Sequence, residues 1–536
     1  MKKIQPFLLS LAILLGVVSC QDFLTLEPLN DVVLENFWKE KGDIESVVTS
    51  CYYNLQSSSV IKSLFVWGEL RSDNIIAGMS IGTTEQDILE ANILPENTYA
   101  SWSPFYNVIN LCNTVIYYAP GVQQYDQTLT NSELNSYIAE MKALRALCYF
   151  YLVRTFHELP LVLDATIGDD VDFEVAPSSQ EEVINQIIRD LEEAEPDIRE
   201  IYAKEVYNKG RITRLAVQSI LADAYLWKGD YAKCIEYCQK VIDYKQQEFD
   251  KYTLDDIVRF NGYPLILTDY TTIQNYNYNR IFGVGNSFES IFELQFSESF
   301  GQSNSLPSSY FGTSGNPIGP LSAPGNIGMS GQDVLFVPSD VRRVQSLNIG
   351  ASASLYPISK YAATAVSVLA TGNSYSYRRT NYANWIFYRL TDIMLMKAEA
   401  LTLKDNAGTN ELQEAFQLVS AVYNRSNPGI GQDTLVYGTY ASVEKMEDLV
   451  RKERQRELLF EGKRWYDLVR MCRRDGNNNR MLDLVIPKYT ENQNAIRSKM
   501  TSPYALYFPI AASELKVNKK LKQNPIYNTG EISHRN

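Results

Sequence analysis

The most conspicuous reactive side chains lie near the carboxyl end, where acidic and basic residues alternate from position 453 to position 467. Two carboxylates held close together can act as general acid and base, which is the arrangement that hydrolyses a glycosidic bond. On a helix, however, charges three and four residues apart usually pair with one another. We therefore interpret this segment as framework and predict no catalytic residue in it. Its aromatic residues, Phe460 and Trp465, are typical of a core.

Residue types that bind metals or act as nucleophiles are few. Histidine occurs twice, at His157 and His534, and no H-E-x-x-H or tandem C-x-x-C motif is present. Cys234 and Cys238 would share one helix face, but no His or further Cys lies nearby to complete a zinc site. We predict no metal site and no cofactor. We expect the cysteines after position 20 to act as small, buried hydrophobic residues. They are Cys51, Cys112, Cys148, Cys234, Cys238 and Cys472.

The amino terminus has the features of an exported lipoprotein. Lys2 and Lys3 precede an apolar run from position 7 to position 18, which is shorter than the ~20 residues of a membrane span and has the length of a signal-peptide core. The run ends at Ser19-Cys20, and a small residue before a cysteine at this place resembles a bacterial lipobox. We expect cleavage before Cys20, lipidation of its thiol and anchoring to a membrane through the acyl chains.

The composition indicates an acidic globular protein. Of 536 residues, 45% are hydrophobic and 21% are charged, and the formal net charge is −13. Loss of the signal peptide would remove Lys2 and Lys3 and leave a net charge of −15. Nothing supplies the overall basic character of a nucleic-acid binder. Long-range repulsion of anions favours a neutral ligand, with Arg378-Arg379 as a local exception that only the fold can place.

Helical periodicity dominates from position 43 to about position 245. Apolar stripes predict helices that begin near Asp43, Phe105, Asn131 and Ser179. Residues 213–244 predict an antiparallel pair of helices with a turn at Gly229 and small residues at the contact. This pair is similar to a tetratricopeptide unit, and a second pair is predicted at 389–425.

A loop-rich segment separates the two helical pairs. It is rich in Tyr, Ser, Gly, Asn and Thr, and the alternation at 291–296 predicts one short strand. The predicted fold is mainly α, a tetratricopeptide-like helical scaffold with a large loop-rich insertion that contains short strands. We divide the chain into a signal peptide (1–19), a lipid-anchored tether (20–42), an amino-terminal helical region (43–245), the aromatic-rich insertion (246–384) and a carboxyl-terminal region (385–536).

Short motifs in a fixed order over about 500 residues resemble the SusD/RagB family of Bacteroidetes surface lipoproteins. The most specific motif runs from Glu453 through Phe460-Glu461-Gly462-Lys463-Arg464-Trp465 to Leu468. The others include Cys20-Gln21-Asp22-Phe23-Leu24, Glu69-Leu70-Arg71-Ser72-Asp73-Asn74, Lys142-Ala143-Leu144-Arg145-Ala146, Tyr388-Arg389-Leu390-Thr391-Asp392 and Lys522-Gln523-Asn524-Pro525.

This resemblance implies a non-catalytic lipoprotein of the outer membrane that faces the cell exterior. It would bind glycan oligomers and pass them to a TonB-dependent, SusC-like transporter. In similar proteins the ligand face combines the segment before the second long helix with the insertion. The resemblance therefore points to eight ligand-binding candidates, which are Trp67, Asp73, Asn74, Trp102, Tyr276, Tyr278, Tyr310 and Phe311.

Other readings of these residues stay open. Trp102 precedes a helix and would also serve as a packing staple, Asp73 and Asn74 would also cap backbone groups, and the insertion tyrosines would also suit a core. The first alternative function is a peptide-binding relative with the same kind of transporter. Less favoured are a glycoside hydrolase and a bare helical scaffold that binds another protein, since the latter leaves the aromatic insertion without a role.

Overall fold

The computed structural model describes residues 37–167, 173–252, 255–268, 276–297, 301–331, 334–352, 354–369, 372–427 and 434–528. Cys20, the signal peptide and most of the tether lie outside these residues, as does the side chain of Tyr276. None of the helices in the described ranges is both long enough and apolar enough to cross a membrane.

Helices dominate the described chain. The first nine are α1 (Lys41–Leu55), α2 (Ser58–Phe65), α3 (Thr83–Leu89), α4 (Ser103–Val122), α5 (Asn131–Phe156), α6 (Gln180–Ala194), α7 (Glu205–Gly210), α8 (Arg214–Lys228) and α9 (Tyr231–Lys251). Short helices of the insertion are α10 (Tyr276–Tyr278), α11 (Leu306–Tyr310), α12 (Gly325–Gly328) and α13 (Arg342–Ser346).

The remaining helices are α14 (Leu390–Leu403), α15 (Thr409–Ser426), α16 (Val443–Glu457), α17 (Arg464–Asp475), α18 (Asn479–Val485), α19 (Gln493–Met500) and α20 (Ala512–Val517). Two π-helical segments, Val66–Leu70 and Asn279–Val284, continue α2 and α10. Single turns of 3₁₀-helix are present at Thr98–Ala100, Tyr437–Tyr440, Ile486–Lys488, Pro503–Leu506 and Pro525–Tyr527.

Local capping explains why the long helices begin and end where they do. Helix α6 begins after Ser179, whose hydroxyl accepts from the Glu182 amide at 3.3 Å while the Glu182 carboxylate accepts from the Ser179 amide at 2.8 Å. This reciprocal capping box satisfies two amides that have no partner within the helix. Helix α8 ends at Gly229, where φ is 85°, a left-handed conformation that favours glycine.

The two predicted helical pairs are present and lie side by side. Helix α8 packs against α9, α14 packs against α15, and α9 also contacts α14. Small side chains allow the helices to approach closely, since Ala222, Ala224, Ala398 and Ala400 are fully buried. The mainly helical, tetratricopeptide-like scaffold predicted from the sequence is confirmed. The described cysteines are all buried free thiols, and the Cys234 and Cys238 sulfurs lie 3.9 Å apart in the α8–α9 core.

The strands are short and form small antiparallel sheets. They are β1 (Ile76–Ala77), β2 (Leu159–Pro160), β3 (Pro177–Ser178), β4 (Ile257–Phe260), β5 (Tyr263–Ile266), β6 (Ser290–Leu294), β7 (Leu321–Ala323), β8 (Tyr356–Pro357), β9 (Ala363–Leu369), β10 (Gly372–Tyr377) and β11 (Trp385–Arg389). The pairs are β2 with β3, β4 with β5, β6 with β11 and β9 with β10, and β1, β7 and β8 form one sheet in that order.

A buried network of ion pairs joins the insertion to the carboxyl-terminal helices. Glu457 in α16 accepts from Arg389 at 2.6 Å and from Arg342 at 3.0 Å, and it also pairs with Arg425. Burial acts to raise the pKa of Glu457, but the three guanidinium groups outweigh it and hold that pKa well below its usual range. The charged segment at 453–467 thus forms buried ion pairs that hold the fold together.

Candidate ligand-binding site

The strand β1 brings the amino-terminal segment into the same sheet as the insertion. Ile76 pairs with Ser322 of β7, and β7 pairs in turn with β8. Beyond the strand, the Gly78 amide donates to the Pro320 carbonyl at 2.8 Å and the Met79 amide donates to the Gly319 carbonyl at 2.9 Å. The two segments that the family resemblance places at the ligand face are therefore in direct contact.

The two candidate tryptophans lie in the hydrophobic core. The Trp67 indole donates to the Tyr99 carbonyl at 2.8 Å and stacks on Phe105 at a centroid distance of 4.9 Å. Trp102 is the residue before α4, and its ring contacts Phe156 edge-on at 5.4 Å. Both indoles are buried, so they pack the interior and offer no open ring face to a ligand.

Asp73 and Asn74 hold the amino-terminal segment to the carboxyl-terminal motif. The Asp73 carboxylate accepts from Arg464 Nε at 2.8 Å and from its Nη2 at 2.9 Å, and Asn74 donates to Glu69 at 2.7 Å. Gln455 donates to both Asp73 and Asn74, at 3.0 and 2.8 Å. Both residues are buried, and their polar groups are occupied by other parts of the chain.

The insertion candidates are also internal. The Tyr278 hydroxyl donates to the Ser359 carbonyl at 3.0 Å, and the Tyr310 hydroxyl donates to Glu85 at 2.8 Å and also contacts the Tyr99 hydroxyl. Phe311 packs edge-on against Phe65 at 5.3 Å. Tyr278, Tyr310 and Phe311 are buried. Of the eight candidates, the seven whose side chains the structure describes occupy packing positions, and Tyr276 lies outside the described side chains.

Half-buried tyrosines that the sequence candidates did not include lie at the surface of the same junction. We define the junction face as Met79, Tyr356, Tyr375 and Tyr377. The exposed fraction of Met79 is 48%, and the three tyrosines are each partly exposed. The Ser374-Tyr375-Ser376-Tyr377 alternation was the signal that could have identified them, because alternate residues of a strand share one face. Strand β10 has that alternation, with Tyr375 and Tyr377 on the less exposed side.

The tyrosines of the junction face are held in fixed positions. The Tyr377 hydroxyl accepts from Asn348 Nδ2 at 2.6 Å, and the Tyr375 hydroxyl donates to the Leu347 carbonyl at 2.6 Å. Their ring centroids lie 6.5 Å apart. Burial raises the pKa of Tyr375 and of Tyr377 above the usual value, so both phenols are uncharged at neutral pH. Two neutral, positioned rings suit the flat C–H faces of a sugar.

Gly312 allows the parts of the junction face to approach each other. A Cβ at this position would lie 2.3 Å from the Pro317 carbonyl oxygen and 3.3 Å from the Tyr377 hydroxyl. The first of these distances is a clash, so a side chain here would move the loop that leads to Gly319. Since Gly319 accepts from Met79, this loop couples the tyrosines to strand β1.

A match to the G-x-S-x-G motif of serine hydrolases also lies here, at residues 78–82. Ser80 has a φ of 60° and lies between β1 and α3, as a nucleophile does on its strand-to-helix turn. The motif needs a base, and among the described residues no histidine hydrogen-bonds to Ser80. His157 contacts Tyr507 at 4.6 Å and lies 3.9 Å from Glu158. The surrounding sheet is antiparallel, unlike the mainly parallel sheet of the α/β-hydrolase fold that carries this motif.

The fold and the junction define a helical-repeat scaffold that carries a loop-rich insertion. Two family profiles match the chain, one described as "SusD family" over residues 289–527 and one described as "Starch-binding associating with outer membrane" over residues 22–226. The two profiles match different parts of the chain and together span most of it, so the resemblance to the SusD/RagB family that its motifs indicated is confirmed.

Known proteins resemble this chain over nearly its full length. "SusD-like protein P38" of Formosa agariphila is 25% identical over 553 aligned residues, which cover 98% of this chain and 100% of that protein. A SusD superfamily structure from Bacteroides vulgatus has a TM-score of 0.68 at 19% identity and covers 91% of this chain and 100% of its own. A "Laminarin binding SusD-like protein" has a TM-score of 0.65 at 22% identity, with coverage of 91% and 100%.

Proposed function

We propose that this protein is a non-catalytic surface lipoprotein that binds glycan oligomers at the junction face. It passes them to a partner TonB-dependent, SusC-like transporter of the outer membrane. Anchoring is through acyl chains on Cys20, with the protein body on the exterior side. The observation that carries this proposal is the set of positioned, half-buried tyrosines where the amino-terminal segment meets the insertion.

The chemistry of the junction face supports a sugar ligand. Each ring can cover a C–H face of a pyranose, and a glycan bound on aromatic rings leaves its hydroxyl groups free to bond the polar rim. Ser80, Asn316 and Asn373 supply neutral hydrogen-bonding groups close to Met79, Gly319 and Tyr375 in the chain. A profile described as starch-binding and a laminarin-binding structural relative point to the same class of ligand.

Binding without cleavage is the test of this function. The mature chain without its lipid should bind members of a panel of neutral oligosaccharides in isothermal titration calorimetry. After prolonged incubation, chromatography should recover the bound oligosaccharide at its original length. Release of shorter products by a highly purified preparation would contradict the proposal, and so would binding of peptides alone.

Lipid anchoring has a separate test at Cys20. Cells grown with a labelled fatty acid should incorporate it into the wild-type protein and not into Cys20→Ser, because the serine hydroxyl does not replace the thiol in lipoprotein processing. Cys112→Ser is the matched control, since its thiol is buried in the folded protein. Equal labelling of the wild type and Cys20→Ser would contradict the anchor.

A further inference from the structure

A cavity lies where the helical scaffold meets the beginning of the insertion. It has a volume of about 910 Å³, is bounded by α7, the end of α9, strands β4 and β5, and residues 285–288, and shares no residue with the junction face. We call it the α7–α9 cleft. Its volume lies near the upper end of the range of about 300–1,000 Å³ that small-molecule sites occupy.

Aromatic and aliphatic side chains form part of the wall of the α7–α9 cleft. Tyr244 and Tyr252 line it from α9 and the residue after that helix, and Phe288 lines it from the insertion. Tyr252 has 53% of its surface exposed and Ile201 has 65%. A large apolar surface left in water is costly, and in a concave wall it is typical of a site that binds a ligand.

The charges around the α7–α9 cleft are mostly satisfied by each other. Lys245 beneath the wall donates to Glu248 and to the Phe288 carbonyl, both at 2.7 Å. Arg280 donates to Asp256 at 2.8 Å. A charged ligand group would have to compete with these pairs, whereas a hydroxyl can donate to a carboxylate and accept from a guanidinium without separating them.

The remaining charged groups do not favour an anion or a cation strongly. Glu200 lies 3.5 Å from Arg214. Glu205, Lys209 and Lys251 also line the cleft and are exposed or half-buried, so water and salt screen them. The wall therefore combines ring faces with balanced donors and acceptors, which is the composition that a neutral polyhydroxylated ligand requires.

We propose that the α7–α9 cleft is a second saccharide-binding site, which takes a short stretch of a neutral glycan and stacks it on Tyr252. This site is separate from the junction face, so the protein would engage a glycan at two places. The choice of saccharide as ligand rests on the proposed function, but the position of the site rests on the cleft alone.

The test uses the full mature chain and a panel of neutral hexasaccharides, namely α-glucan, β-glucan, xylan, mannan and galactan fragments, with an oligogalacturonate hexamer as the charged comparison. In calorimetry, Tyr252→Ala should weaken binding of the best neutral hexamer to the cleft at least fivefold. Tyr117→Ala is the matched control, because Tyr117 is 60% exposed on α4 and lines neither site. A crystal soaked in the same hexamer should show it against Tyr252.

The outcomes separate this proposal from the proposed function. If the double variant Tyr356→Ala/Tyr377→Ala retains a binding step that Tyr252→Ala removes, the cleft is a site whether or not the junction face is one. The proposal would be overturned if Tyr252→Ala bound every panel member with wild-type affinity and the soaked crystal showed no hexamer in the cleft. It would also be overturned if the cleft bound oligogalacturonate as tightly as the best neutral hexamer. The same holds if the protein bound no member of the panel.

Discussion

Trp102 occupies the entry to helix α4, where its ring contacts Tyr106 at 5.9 Å and Phe156 at 5.4 Å. Because it is buried, Trp102→Ala should remove core packing and lower the free energy of unfolding by about 3–5 kcal/mol. Tyr117→Ala, at an exposed position of the same helix, should change it by less than about 1 kcal/mol. Chemical denaturation measures both. If Trp102→Ala left the stability unchanged and weakened glycan binding, Trp102 would be a ligand-binding residue and not a packing residue.

Lys245 gives the stability of the protein a specific dependence on pH. Burial, together with the nearby Lys209, lowers the pKa of Lys245 from 10.5 to about 7. Between these values the unfolded chain binds a proton that the folded chain lacks, so the free energy of unfolding rises with pH from about 7 to about 10.5. Its slope in this window should exceed that of Lys245→Met by up to about 1.4 kcal/mol per pH unit.

The control for this slope is Lys452→Met, because Lys452 lies half in water beside Asp448. Denaturation at a series of pH values should give Lys452→Met the wild-type slope. If Lys245→Met also shows the wild-type slope between pH 7 and 10, the buried ammonium does not titrate in that window.

Residue types alone could not separate ligand positions from packing positions. Trp67 and Tyr310 have the chemistry that binds a sugar, but the same rings fill a core, and only long-range contacts decide between the two uses. Tyr375 and Tyr377 are different, because their alternation along β10 places both on one face. That local pattern could be recognised in the sequence. The hydrogen-bond partner of Tyr377 could not, since Asn348 lies 29 positions away in the chain.

At the scale of elements, the network around Glu457 connects α16 to residues far away in the chain. Glu457→Gln should lower the free energy of unfolding by about 3–5 kcal/mol, because it leaves buried guanidinium groups without their counter-charge. Glu444→Gln is the matched control, since Glu444 is exposed in the first turn of the same helix. Thermal and chemical denaturation measure the difference. Equal stability of the two variants would show that the network is not needed for folding.

Helices with clear apolar stripes and caps were predictable in place and extent. The predicted helix from Asn131 coincides with α5, and Ser179 caps α6 as its spacing indicates. The strand predicted at 291–296 is present as β6, but all five of its residues are buried. Its alternation suggested a half-exposed strand, whereas pairing with β11 and packing against the core bury both faces. The pairing partner is distant in the chain, so it cannot be predicted from the local sequence.

At the scale of the whole molecule, the net charge of −15 that remains after loss of Lys2 and Lys3 with the signal peptide predicts discrimination among ligands. At low ionic strength the junction face should bind a neutral hexasaccharide more tightly than its sulfated analogue, because the protein repels anions over a screening length of ~30 Å at 0.01 M salt, compared with ~8 Å at physiological salt. Raising the salt concentration should improve binding of the sulfated analogue and leave the neutral one unchanged. Arg378, which donates to the Tyr361 and Gly283 carbonyls at 2.9 and 2.7 Å, is already occupied. Tightest binding of sulfated glycans would contradict this prediction.

The central claim is that positioned tyrosines at the junction of the amino-terminal segment and the insertion bind a glycan. The most direct test is the affinity of Tyr356→Ala/Tyr377→Ala for the best neutral oligosaccharide, measured by calorimetry against the wild type and a Tyr117→Ala/Tyr125→Ala control. We expect a loss of roughly 5- to 150-fold in the junction variant, which corresponds to about 1–3 kcal/mol, in a protein that remains folded at the temperature of the assay. Wild-type affinity in a folded junction variant would contradict the account.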